Sequence, residues 1–101
     1  MMELVPIRVQ GVPGTRASFT CSYKGHERLN IEFKLITLEE EPVGARVKRE
    51  EEDPGYSWLA TRQWTMEVGK KPGVVECSLV DGMGRRVGSL QALVTPGVGE
   101  E

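Results

Sequence analysis

Histidine, asparagine and cysteine are almost missing from this chain. Of its 101 residues only one is histidine and two are cysteine, and Asn30 is the sole asparagine. Asn30 is followed by Ile31 and Glu32, so the chain contains no N-glycosylation sequon. There is no CxxC, no HExxH and no phosphate-binding glycine loop, and the lone His26 falls in the predicted loop "YKGHER". Catalysis needs a nucleophile or a general acid or base held against a partner, and nothing here supplies that pair. The expectation is a protein that is not an enzyme and holds no metal or cofactor. Long apolar runs are missing too; none approaches the roughly 20 residues that span a bilayer, which argues against membrane insertion. Charge of one sign is also lacking. A net charge of −2 favours neither nucleic acid nor an anionic membrane as an obligatory partner. The start, "MMELVPIRVQ", has neither the basic nor the apolar region of a signal peptide. With its doubled methionine it reads as a fragment excised from a longer protein, so localisation is left open by it.

What is present is turn chemistry and short alternation. The 12 glycines and 6 prolines punctuate the chain at "GVPG", "EEEP", "DPG", "GKKPG" and "GMG". Between these turns, residues alternate with period two. Phe19, Cys21 and Tyr23 share one face, as do Ile31, Phe33 and Leu35, then Trp64, Met66 and Val68, then Val75, Cys77 and Leu79. Half-buried strands of antiparallel sheets give this pattern. No stretch carries a convincing helical period; in 38–52, Pro42 and Gly44 interrupt helix-forming residues, so a loop and edge strand are expected there. Short strands with frequent turns over 101 residues predict an all-β, two-sheet antiparallel sandwich. It forms one domain, 1–101, with a core over about 3–96 and a flexible tail at 97–101.

Both cysteines occupy the inward phase of their strands and lie far apart in sequence. If those strands belong to opposite sheets, Cys21 and Cys77 meet across a core about 10 Å thick and form a disulfide. Closing so long a loop stabilises the folded state by about 4 kcal/mol in the chain-entropy picture.

The pattern resembles the immunoglobulin superfamily across nearly the whole chain, closest to its intermediate (I-set) type. "GTRASFTCSY" is similar to the family's B strand, "GVVECSLVDGMG" to strand F and its turn, "RVGSLQALVTP" to strand G, and "IRVQGVPG" to strand A with its turn. The resemblance implies a Greek-key sandwich. It also implies a divergent one: Phe33 stands where a strand-C tryptophan packs on the disulfide, and Val75 stands where the corner tyrosine belongs. Phe33 is therefore expected in the core, with Trp64 compensating for the lost volume.

In that topology the B–C and F–G loops share one end, which would gather Lys24, His26, Arg28, Arg85 and Arg86 into a basic tip. Lys70 and Lys71 would lie at the other end. Such a tip suits an anionic partner, either a sulfated glycosaminoglycan or an acidic protein face. Solvated loop charges are the plainer reading of the same residues. The acidic runs 39–41 and 50–53 lack calcium-loop spacing and read as edge charges that discourage strand pairing. Tyr56, Trp58 and Trp64 share a phase and are expected in the core or at its margin, Trp58, close to a turn, being the candidate among them for partial exposure. By resemblance, the function is an interaction or structural module of an extracellular matrix or cell-adhesion protein, flanked by neighbouring domains of its parent chain. The competing reading is an intracellular spacer of the titin kind, cytoplasmic and sarcomeric, with reduced cysteines.

Overall fold

A computed structural model describes residues 1–36 and 58–97 in full and the backbone of 42–52. The chain forms β1 (Met2–Val5), β2 (Arg8–Gly11), β3 (Arg16–Gly25), β4 (Asn30–Ile36), β5 (Pro42–Glu52), β6 (Trp58–Glu67), β7 (Gly73–Val80) and β8 (Arg86–Pro96). They build two four-stranded sheets, ordered β1-β3-β6-β5 and β2-β8-β7-β4. The described residues contain no helix. The expected all-β sandwich is what forms.

Alternation explains the faces. In β3, Ala17, Phe19, Cys21 and Tyr23 are buried while Ser18 and Lys24 are exposed. Antiparallel pairing of β3 with β6 sets Phe19 opposite Trp64 and Ala17 opposite Met66, so both strands present their apolar sets to the same side. In the second sheet, Val75, Cys77 and Leu79 of β7 face inward between Ile31 and Leu35 of β4 and Ala92 and Val94 of β8. Cys21 and Cys77 join the two layers in a disulfide, with Cα atoms 6.5 Å apart over a separation of 56 residues. Phe19, Cys21, Val75 and Cys77 are fully inaccessible, which places the bridge at the centre of the core.

The β7 strand is buried on its outer face as well. Glu76, Ser78 and Val80 are buried there, on an interior strand flanked within its sheet by β8 and β4. The Glu76 carboxylate accepts from Gln91 Nε2 at 3.0 Å and lies 3.6 Å from Arg86 Nη1. A buried carboxylate held between a donor and a cation is the arrangement its desolvation demands.

The sandwich departs from sequence expectation at its first edge. The strand expected within 7–14 is β2, at Arg8–Gly11, and a further strand, β1, precedes it at Met2–Val5. β1 adds to β3 in the first sheet, and the chain then crosses at the cis Val5–Pro6 bond into the second sheet. There β2 runs parallel to β8, pairing Arg8–Gly11 with Leu93–Pro96. The sandwich is therefore not antiparallel throughout. Pro6 supplies no N–H to continue the first ladder, which marks the crossover. The loop-and-edge expectation for 38–52 resolves into β5, the edge strand of the first sheet, with register shifts after Pro42 and Val47. Bulges on an edge strand bend it away from further pairing. The acidic run 39–41 lies outside the described residues, as do the side chains of 50–53 and Tyr56. Of the expected flexible tail, only Gly97 is described, and its N–H donates to Gly11 O at 2.6 Å.

Candidate functional site

The end of the sandwich where β3 passes into β4 and β7 turns into β8 carries the residues singled out from the sequence. Asn30, the first residue of β4, pairs with Val80, the last of β7, so both connections leave the second sheet at the same end. Val68–Pro72, carrying exposed Lys70 and Lys71, joins β6 to β7 at the other end.

The β3–β4 bend is shaped by Tyr23. Its ring is buried and its hydroxyl donates to Glu27 O at 3.1 Å, folding the segment back over the strand end. Gly25 makes this possible: a Cβ there would come within 2.2 Å of the Tyr23 hydroxyl oxygen. Leu29 is buried beneath the bend, and Trp58 Nε1 from β6 donates to Leu29 O at 3.0 Å. The Arg28 guanidinium lies over the Trp58 ring, 5.0 Å from its centroid. A cation on an indole face gains about 0.5–1 kcal/mol where solvent reaches it. Trp58 is partly buried, in agreement with the sequence expectation. Lys24 and His26 are exposed on the same bend.

The β7–β8 hairpin is organised by Asp81. Its Oδ1 accepts from the N–H groups of Met83 and Arg85, both at 2.9 Å, and its Oδ2 accepts from Arg85 Nε at 3.1 Å. Gly84 closes the turn at φ +81°, a backbone region glycine enters without a Cβ clash. The Arg85 N–H foremost, then the Met83 N–H and the Arg85 guanidinium, hold the Asp81 carboxyl below its ordinary value, against an opposing effect of desolvation.

These contacts redistribute the basic tip. Lys24, His26 and Arg28 lie on one connection and Arg85 and Arg86 on the other, at a common end. Arg85, however, is paired with Asp81, and Arg86 reaches along the sheet to Glu76. Two of the cations drawn from sequence thus carry their own carboxylates. Asp81 lies in the same turn as Arg85, whereas Glu76 was hidden, because its outward phase reads as solvent-facing.

Phe33 needs correction. It is only partly buried, since β4 is the edge strand of its sheet, and its ring stacks on Trp64 with centroids 5.2 Å apart and planes 17° from parallel. Trp64, inaccessible to all but 5% of its surface, is the core aromatic, and it comes from β6.

Arg62 was missed altogether. It occupies the inward phase of β6 between Ala60 and Trp64, and its Nη1 donates across the layers to Ile31 O. Among the described residues its Nε, though buried, has no hydrogen-bond partner, and it lies at the wall of a crevice of about 240 Å³ bounded by Glu32, Phe33 and Trp64. The signal was present as a charged residue in an apolar phase.

Both cysteines are held in the disulfide, and among the described residues no three His, Cys, Asp or Glu side chains gather as a metal set. The arrangement can display charge and aromatic surface on a rigid end. No family model matches the chain, and no curated protein matches it in sequence.

Proposed function

We propose that this chain is a divergent immunoglobulin-like module of an extracellular matrix or cell-adhesion protein, non-enzymatic, making contacts with a protein or sulfated glycosaminoglycan partner. The observation that carries this reading is the disulfide joining the central strands of two sheets ordered β1-β3-β6-β5 and β2-β8-β7-β4. That order follows the A-B-E-D and G-F-C arrangement of such domains, with the first strand divided between the sheets. A buried cross-sheet disulfide suits an oxidising compartment, which favours the secreted setting over a reduced intracellular spacer. The module is a rigid frame, and its partners are met on exposed features.

The anionic-partner site is centred on the β3–β4 bend, where Lys24, His26 and Arg28 are exposed at the end of the sandwich shared with Arg85 and Arg86. Heparin chromatography tests it. Lys24→Glu with His26→Glu is expected to lower the eluting salt concentration markedly, and Lys70→Glu at the opposite end to leave it unchanged. Affinity that depends on released counterions falls steeply with salt. Elution of the unaltered domain below about 150 mM salt, where exposed charges are screened beyond about 8 Å, would remove the site and leave the fold untouched.

A further inference from the structure

A crevice of about 320 Å³ opens on the outer face of the second sheet, at the head of β2. Its walls are Ile7, Val74, Ala92 and Leu93, with Arg8 and Gln91 as the polar members. The pairing register explains the mixture. Leu93 stands between Arg8 of β2 and Val74 of β7, and Val74 in turn faces Ile36 of β4. One row across that face is therefore apolar from β4 to β8 and ends at a cation on β2. The next row, Lys34, Glu76 and Gln91, is polar. Ile7 is 66% exposed and Leu93 38%, so the apolar walls stand open to water.

The two polar members are differently engaged. Gln91 Nε2 already donates to the Glu76 carboxylate. Arg8 is exposed, and among the described residues no carboxylate pairs with it. Backbone groups complete the setting. Leu93 N donates to Ile7 O, so the odd-numbered residues of β8 turn their backbone groups away from β7 here, and Gln91 aims its N–H and C=O the same way. A chain lying beside Gln91 and running in the direction of β8 meets the head of β2 and has to end there.

We infer that this crevice holds the C-terminal residue of a partner protein, apolar in its side chain and ionised at its carboxylate. Apolar walls beside an unpaired cation call for both groups on one small body. In a polypeptide only the last residue carries an apolar side chain and a carboxylate on the same Cα. Its side chain lies against Ile7, Val74 and Leu93, its carboxylate accepts from the Arg8 guanidinium, and its N–H donates to Gln91 O. Ligand pockets start at about 300 Å³ and enclose most of what they bind. This crevice has that minimum volume but is open on its outer side, which suits one residue of a chain rather than a whole free ligand. It lies toward the opposite end of the sandwich from the β3–β4 bend and shares no residue with it.

The probes are N-acetylated tetrapeptides, Gly-Ser-Gly followed by leucine, valine or phenylalanine with a free carboxylate, added to the intact, oxidised protein. The backbone amide resonances of Arg8, Gln91 and Leu93 are expected to shift together and saturably, with those of Lys24 and His26 unmoved. Amidating the C-terminus of the best-bound peptide is expected to weaken it by about tenfold or more, the loss of one charge-assisted contact. Arg8→Gln, at an exposed site, is expected to weaken the free acid to the same degree, with the thermal midpoint unchanged. The amide is expected to bind wild type and variant alike, so the difference between acid and amide disappears in the variant. No shift at Arg8, Gln91 and Leu93 with any of the peptides would overturn the inference. So would an amide that binds as well as the acid, or a difference between them that survives Arg8→Gln. Decanoate that shifts these resonances where the peptides do not would overturn the assignment of a protein terminus in favour of a free lipid-like acid.

Discussion

Removing the indole of Trp64 is expected to cost more than removing the ring of Phe33, although Phe33 holds the position that sequence assigns to the core. Trp64 is 5% exposed and Phe33 only partly buried. A buried aromatic removes roughly 150–250 Å² from water. At roughly 25 cal/mol per Å², the smaller area covered at Phe33 corresponds to about 3 kcal/mol for Phe33→Ala. For Trp64→Ala, the larger side chain and the enclosed cavity left behind bring the loss to about 5 kcal/mol. The two rings are stacked, so the losses are coupled: the double variant is expected to lose about 0.5–1.5 kcal/mol less than the sum of the singles. Urea unfolding of the oxidised protein, read by far-ultraviolet circular dichroism, measures all three if the denaturant slope is unchanged. A domain of this size holds only about 5–15 kcal/mol in total, so failure of Trp64→Ala to fold also agrees with the reasoning. A loss at Phe33 equal to or larger than that at Trp64 would refute it. So would strict additivity.

Tyr23→Phe deletes the hydroxyl bonded to Glu27 O and is expected to cost about 1 kcal/mol, whereas Gly25→Ala, which meets that hydroxyl, is expected to cost more in the same unfolding assay. The Asp81 carboxyl is held below its ordinary value of 3.8 in the folded hairpin. Its charge therefore adds stability that is full above that pH and is lost as acid protonates the folded form. The stability gap between the natural protein and Asp81→Asn, measured from neutral pH downward, is expected to narrow through that range; a gap that widens in acid would contradict the pairing. Arg62→Ala leaves Ile31 O without its cross-layer donor and is expected to cost about 1–3 kcal/mol. Arg62→Met fills the same apolar phase and is expected to recover much of that loss, which thermal unfolding of the pair would show.

The layered fold was legible because its cause is local: period-two alternation at Phe19, Cys21 and Tyr23, and again at Val75, Cys77 and Leu79, states which side each strand buries. The cysteine pairing was legible for the same reason, once the two strands belong to opposite sheets. The division of the first strand was not, because Pro6 marks a break without saying which sheet receives the chain on each side. Phe33 was placed too deep because alternation gives the face of a residue and not the position of its strand within the sheet; β4 turned out to be an edge. The basic tip was legible as a cluster of charges at one end and illegible as a balance of charges. Arg86 finds Glu76 only through a register set by the β7–β8 hairpin and its irregularity after Leu79. Trp58 as the seat for Arg28 depends on β6 pairing with β3 down to Gly25, which no pattern in the β3–β4 segment announces.

The Cys21–Cys77 disulfide clamps the two layers together, and the proposed setting for such a module is an oxidising compartment. The most direct test of that clamp is intact mass after thiol alkylation of protein prepared without reductant, with a reduced and denatured sample beside it. With Cys21 and Cys77 bridged, no label is expected before reduction and one on each cysteine afterwards. Label on both cysteines in the unreduced, folded protein would contradict the claim and return the chain to the intracellular reading.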